Sequence, residues 1–221
     1  MNPLNFKIMG FLTGGIDYDM IGRVGNHVGR KTKGRNVLGM RPSKSNKPPT
    51  ALQLAQRQKF GLVTNWLVGI AELIETGFST HKAEESDMNA AVSYHLKNAV
   101  TGVAPNFTMD YEKVIFSRGR VKEAASPNVT VAVAGTIGFS WLAGNPSKYN
   151  KPTDLAIVMV YSPDKEDFVT LQAAAPRSAL TYNLLVPGDF SGDEVHVYIG
   201  FTSADGKLVG DSTYLGPFLL L

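Results

Sequence analysis

VTVAVAGTIGFSWLA, residues 129–143, decides the fold. Apolar and small polar residues alternate along 129–134 and again along 136–143, and a period of two rich in β-branched and aromatic residues predicts strands. The same period persists toward the C-terminus in LAIVMVYS (155–162), DFVTLQA (167–173), LTYNLLV (180–186), EVHVYIGFT (194–202) and a last run ending PFLLL. Turn pairs separate these runs: Asn145-Pro146, Pro163-Asp164, Pro187-Gly188 and Asp205-Gly206. About seven strands at this spacing predict an immunoglobulin or fibronectin type III β-sandwich over 127–221. Trp141 is its expected buried anchor, with Tyr198 and Phe201 on a late central strand.

Upstream, residues 50–126 change period. Thr50 stands three residues before Gln53, a capping-box spacing, and Phe60, Val63, Trp66, Leu67, Ile70, Leu73 and Ile74 follow at helical intervals. A helix is therefore expected over about 50–75, weakened at Gly61 and Gly69. Ser86 caps a second expected helix carrying Met88, Ala91, Val92, His95, Leu96 and Ala99, which ends before Gly102. Alternation over Lys113–Ser117 predicts a strand.

Residues 1–49 form a basic, glycine-rich arm. GRVGNHVGRKTKGRNVLGMRP (22–42) holds two β-compatible runs on either side of Lys33-Gly34, the pattern of a hairpin. Glycines at 22, 25, 29, 34 and 39 leave it few side chains to pack, so it is expected to lean on another surface. SKSNKPP (43–49) is a polar linker, because Pro48 and Pro49 exclude helix just before them. The fold class is thus mainly β with a small helical region: an N-terminal hairpin arm, two helices and a C-terminal sandwich.

The net charge of +3 conceals a division. Over 1–60 there are 11 Lys and Arg against Asp17 and Asp19, a net +9, so the remainder carries −6. A basic segment of this kind attracts phosphate, acidic lipid or acidic protein surface. Its cations Arg23, Arg30, Lys31, Lys33, Arg35, Arg41, Lys44 and Lys47 are the candidate contacts for a partner or a nucleic acid. The bland alternative is a solvated hairpin whose cations discourage edge pairing. No aromatic follows Tyr18 within the arm to serve as the stacking platform that single-strand binders use.

Little points to catalysis. The chain has no cysteine, which removes disulfides, thiolate zinc sites and cysteine nucleophiles together. His27, His81, His95 and His196 lack partners at triad or metal-ligand spacing, and no HExxH, GxSxG or Walker-type loop occurs. Asp164, Glu166 and Asp167 fall in an expected turn, as do Asp189 and Asp193, where acids are ordinarily solvated. Gly22, Gly25 and Gly29 precede a hairpin rather than a helix, which argues against a phosphate cradle. No catalytic, cofactor or metal residues are assigned. Met1–Lys7 do not read as a signal peptide and no apolar run nears the roughly 20 residues of a membrane helix, so the expected location is cytoplasmic or within a virion or other assembly.

IGRVGNHVGRKTKGRNVLGMRP, SNKPPTALQLAQRQKFGLV and MNAAVSYHLKNAVTGVAPNFTMDYEKVIFSRG, followed by FSW, AIVMVYS, VHVYIGF and DSTYLGPF, together resemble a domain-of-unknown-function family of about this length encoded mainly by Bacteroidota. The resemblance implies a shared fold and carries no known activity. Three functional classes stay open: a non-enzymatic structural or assembly protein whose arm docks on a neighbouring subunit or partner, with a homo-oligomer compatible; a nucleic-acid-binding or packaging protein using the basic arm; and an enzyme with a site assembled from scattered residues.

Overall fold

The structure is a computed structural model describing residues 9–15, 17–32, 34–43, 47–79 and 86–221, with Met9 described by its backbone. The chain divides into two units, Met1–Thr50 and Ala51–Leu221.

In the first unit the expected hairpin forms between β3 (His27–Thr32) and β4 (Arg35–Met40), closing at the pair Thr32 and Arg35. Two further strands extend it. β1 (Met9–Leu12) pairs antiparallel with β4, and β2 (Gly22–Val24) with β3, giving the order β1-β4-β3-β2. Gly34, at φ +73°, takes the left-handed backbone that the turn between β3 and β4 requires.

The second unit begins with α1 (Ala51–Val68), α2 (Ala71–Gly77) and α3 (Asp87–Asn98). The first helical stretch breaks at Gly69, where a Cβ would lie 2.4 Å from the Phe168 ring, so only glycine admits that ring. α3 is capped as expected, the Asn89 N–H donating to Ser86 Oγ at 3.3 Å. A hairpin of β5 (Val100–Val103) and β6 (Asn106–Met109) follows.

The strand expected over 113–117 does not form. Val114 and Phe116 are buried, so the alternation did report burial. Yet the backbone N–H of Phe116 donates to Ser212 Oγ at 3.0 Å and that of Arg118 to the Gly77 carbonyl at 2.9 Å, so no ladder is made.

The sandwich comprises β7 (Ala125–Val133), β8 (Thr136–Leu142), β9 (Leu155–Ser162), β10 (Asp167–Leu171), β11 (Thr181–Leu185), β12 (Glu194–Thr202) and β13 (Thr213–Leu219). One sheet has the order β11-β8-β7 and the other β10-β9-β12-β13, the three-plus-four arrangement of a fibronectin type III domain. Trp141 is 3% exposed; its Nε1–H donates to the Arg177 carbonyl at 2.8 Å and its ring meets Phe201 edge-on at 5.6 Å. Tyr198 and Phe201 are fully buried on β12.

Two cores sandwich the four-stranded sheet. Ala156, Val158 and Val160 of β9 face Ile137, Phe139 and Trp141 of the opposite sheet. Ile157, Met159 and Tyr161, from the other face of β9, pack against Trp66, Leu67, Leu73 and Phe78 of the helical stretch. This is why LAIVMVYS is continuously apolar: a strand buried on both faces loses its polar alternation. The helices therefore share a core with the sandwich, and 51–221 is one unit. No helix among the described residues is long and apolar enough to cross a membrane.

Candidate functional site

The β-ladder sorts the arm's cations by face, since directly paired residues project to the same side of a sheet. Phe11, Val37 and Arg30 lie in one row across β1, β4 and β3. Arg23 pairs with Val28 and Arg35 with Thr32, and Val28, Arg30 and Thr32 alternate along β3. Arg23, Arg30 and Arg35 thus share one face, with Phe11 and Val37 among them. The Arg35 guanidinium stands 5.6 Å from the centre of the Phe11 ring, within cation–π range, and the ring is 61% exposed. Arg23 Nε donates to the Gly25 carbonyl at 3.1 Å, which orients that side chain beside the β2–β3 turn.

The opposite face is covered locally. A Cβ at Gly29 would come within 2.1 Å of the Met20 carbonyl oxygen, so the 17–20 turn crosses the sheet where glycine leaves room. Asn36 Nδ2 donates to Asp19 Oδ1 at 3.5 Å on this side, and Lys31, paired with Asn36, projects there. Arg41 follows the end of β4, where its N–H donates to the Asn26 carbonyl at 2.8 Å, and Lys47 precedes α1. The structure therefore gathers three of the eight candidates on one face and sets Lys31 against them. Lys33 and Lys44 lie outside the described residues, as do His81 and Met1–Lys7.

Phe11 was not legible as part of this site. An aromatic platform is lacking after Tyr18, but the pairing of β1 with β4 brings one from before it. Only a pairing between segments some 26 residues apart reveals it, and the one local signal is the apolar run MGFL.

The described histidines and turn acids have the following surroundings. His95 is fully buried in α3, with Nδ1 2.7 Å from the Ala91 carbonyl and Nε2 accepting the Ile115 N–H at 3.3 Å. Those partners fix a neutral tautomer, and burial holds its pKa below the ordinary imidazole value. His196 Nδ1 lies 2.8 Å from the Tyr214 hydroxyl, and burial lowers its pKa as well. His27 is exposed at the start of β3, beside Met40. Asp193 accepts from Ser162 Oγ at 3.0 Å and from Lys165 Nζ at 2.7 Å, and these partners, Lys165 first, depress its pKa. Asp167 accepts from the Phe168 N–H, while Glu166 turns the chain at φ +52°.

Residues 19–216 match the model of a family described as a family of unknown function, DUF6266. No curated protein matches the chain. Among solved structures, the fn3 domain of human contactin 1 is similar at 11% identity over 48% of this chain and 77% of that one, with a TM-score of 0.28.

Proposed function

The chain belongs to this family of unknown function, and we propose that it is a non-enzymatic assembly protein whose N-terminal sheet docks on a neighbouring copy of the chain. The carrying observation is the poverty of the arm's own core. Among the described residues of 9–50, Val37 is the one buried apolar side chain, while Phe11, Ile21, Val24 and Met40 are exposed. A four-stranded sheet with so little burial gains too little from the hydrophobic effect to offset the entropy of ordering its chain. A surface that covers it supplies the missing burial, and strand addition at its β1 or β2 edge would supply hydrogen bonds. Charge supports a second copy as that surface, with a net +7 over 1–50 against −4 over 51–221.

The test is sedimentation of the full chain and of a 50–221 truncation across a wide concentration range. Self-association of the full chain that weakens with salt and vanishes on truncation is the expected result. A full chain that stays monomeric throughout, with unchanged stability on truncation, would overturn the proposal.

The shared face of Arg23, Arg30, Arg35 and Phe11 favours a second reading, a single-stranded nucleic acid lying across the sheet. Cations would track the phosphates while a base stacks on the ring.

A further inference from the structure

The sandwich has edge strands β7, β10, β11 and β13, and all but β11 carry a device that discourages pairing with another chain. β7 holds Pro127 and two breaks in its register with β8, and β13 holds Pro217 and a register shift against β12. β10 opens on the exposed Asp167. β11, TYNLL, has no charge, no proline and an unbroken register with β8 over Thr181–Leu185. No residue of β7, β8 or β11 is charged, in a chain of which 19% is. Depletion of charge is characteristic of surfaces that proteins bury against one another.

The ladder shows which backbone groups of β11 are open. The Trp141 N–H donates to the Leu180 carbonyl at 2.9 Å and the Val186 N–H to the Gly135 carbonyl at 3.0 Å, so the even-numbered residues of this stretch bond inward to β8. Thr181, Asn183 and Leu185 therefore turn their N–H and C=O groups to the free edge, where none meets a partner among the described residues. All three side chains are exposed, Leu185 to 77%. Alternating open donors and acceptors are a template for one more strand.

Symmetry and charge decide which strand fits. Opposite a second β11 running antiparallel, Asn183 faces Asn183 and Thr181 faces Leu185, so every open N–H and C=O of both strands is paired. Directly paired residues project to the same side, so exposed Thr181 meets exposed Leu185 and core-facing Tyr182 meets core-facing Leu184. The Asn183 amide both donates and accepts, so it can bond its own image. The cationic arm gains nothing from charge at an uncharged edge. We propose that β11 pairs antiparallel with β11 of a second copy about a two-fold axis at Asn183, joining the two three-stranded sheets edge to edge.

Five residues of edge bury less than the roughly 1,200 Å² of a stable interface, so this contact is weak alone. It forms between copies that the arm has already brought together, at an effective concentration on the order of millimolar, and so rests on the arm-mediated assembly proposed above.

The chain has no cysteine, so single introduced cysteines report proximity without background. Paired Asn183 residues would hold their Cα atoms about 5.5 Å apart, within disulfide range. Full-length Asn183→Cys exposed to oxidised glutathione should form a disulfide-linked dimer at least about tenfold faster than Lys207→Cys, which is exposed on the β12–β13 connection. Thr181→Cys and Leu185→Cys should each link slowly alone and fast when mixed, which fixes the register. Sedimentation of the reduced variants separates the two readings. A chain that does not self-associate removes the arm reading and this one with it. A chain that self-associates while Asn183→Cys links no faster than Lys207→Cys, or while the Thr181→Cys and Leu185→Cys mixture stays slow, overturns the β11 pairing alone. Linkage of Asn183→Cys to Phe11→Cys without an Asn183→Cys homodimer would give the edge to β1, which also overturns it. Should Asn183→Cys not fold, amide exchange in the unsubstituted chain is the readout: the Asn183 N–H should exchange more slowly as protein concentration rises, and a constant rate overturns the pairing.

Discussion

The guanidinium carbon of Arg177 lies 3.7 Å from the centre of the Phe201 ring, so a cation is stacked on the aromatic core of the sandwich. Arg177 is 2% exposed, and its Nη atoms donate to the carbonyls of Lys122 and Glu123 at 2.6 and 3.2 Å. Its Nε stands 3.5 Å from Asp154 Oδ2, which also accepts the Lys151 N–H. The side chain thereby ties the segment entering β7 to the start of β9. Arg177→Met should cost about 3–5 kcal/mol, because it leaves the buried Asp154 unpaired and two carbonyls without donors. Arg177→Met with Asp154→Leu should recover part of that loss. Urea denaturation of the two single variants and the double variant measures the coupling, and additive losses would refute it.

His95 predicts a separate acid sensitivity. Its folded pKa is lowered by burial, so between that value and the ordinary 6.5 the unfolded chain binds the proton more readily. Stability should hold above about pH 6.5 and fall as the pH drops below it. His196, lowered in the same direction, adds to the slope. The carboxylates Asp193 and Asp205, held below 3.8, contribute only at lower pH. Thermal melts from pH 7.5 to 5 should show the decline, and His95→Gln should flatten it while lowering stability at pH 7.5. An unchanged slope in that variant would place the sensitivity elsewhere.

Two glycines of the helical stretch should respond oppositely to alanine. At Gly77 a Cβ would lie 2.1 Å from the Phe116 carbonyl oxygen and 2.8 Å from Ser117 Cα, so Gly77→Ala must push two backbone segments apart. A loss of about 2 kcal/mol or more is expected, as for other core overpacking. At Gly61, inside α1, a Cβ meets nothing within 4 Å, and Gly61→Ala should stabilise by about 0.5–1 kcal/mol. Denaturation midpoints that move in the same direction would contradict this.

These residues also mark what is legible in the sequence. Strands show wherever one face is buried and one is wet, as in TIGFSWL, whose burial alternates residue by residue. The third layer is visible only as the missing alternation of LAIVMVYS, because a helix covering a sheet leaves no polar positions to count. The break at Gly69 depends on a ring 99 positions away, and the burial of Arg177 on Phe201 24 positions away, so neither has a local signature. On the arm, composition marks the cations but cannot sort them by face. That requires the register, which puts Lys31 opposite Arg23, Arg30 and Arg35 and brings Phe11 beside Arg35.

That register separates the two readings of the arm. If single-stranded nucleic acid lies on the Arg23, Arg30 and Arg35 face, replacing all three by Gln should lower the slope of log affinity against log salt by about 2, at roughly 0.7 per phosphate contact. Lys31→Gln, on the other face, should leave the slope nearly unchanged. Phe11→Ala should weaken binding by about 1–3 kcal/mol at every salt concentration, because stacking involves no counterion release. A filter-binding series with an oligothymidylate from about 50 to 200 mM salt reads all three. If the wild-type chain is not retained even at the lowest salt, the nucleic-acid reading is eliminated. The same variants should then be read by sedimentation, where loss of self-association in the triple variant, with Lys31→Gln again silent, would assign this face to contact with a second copy.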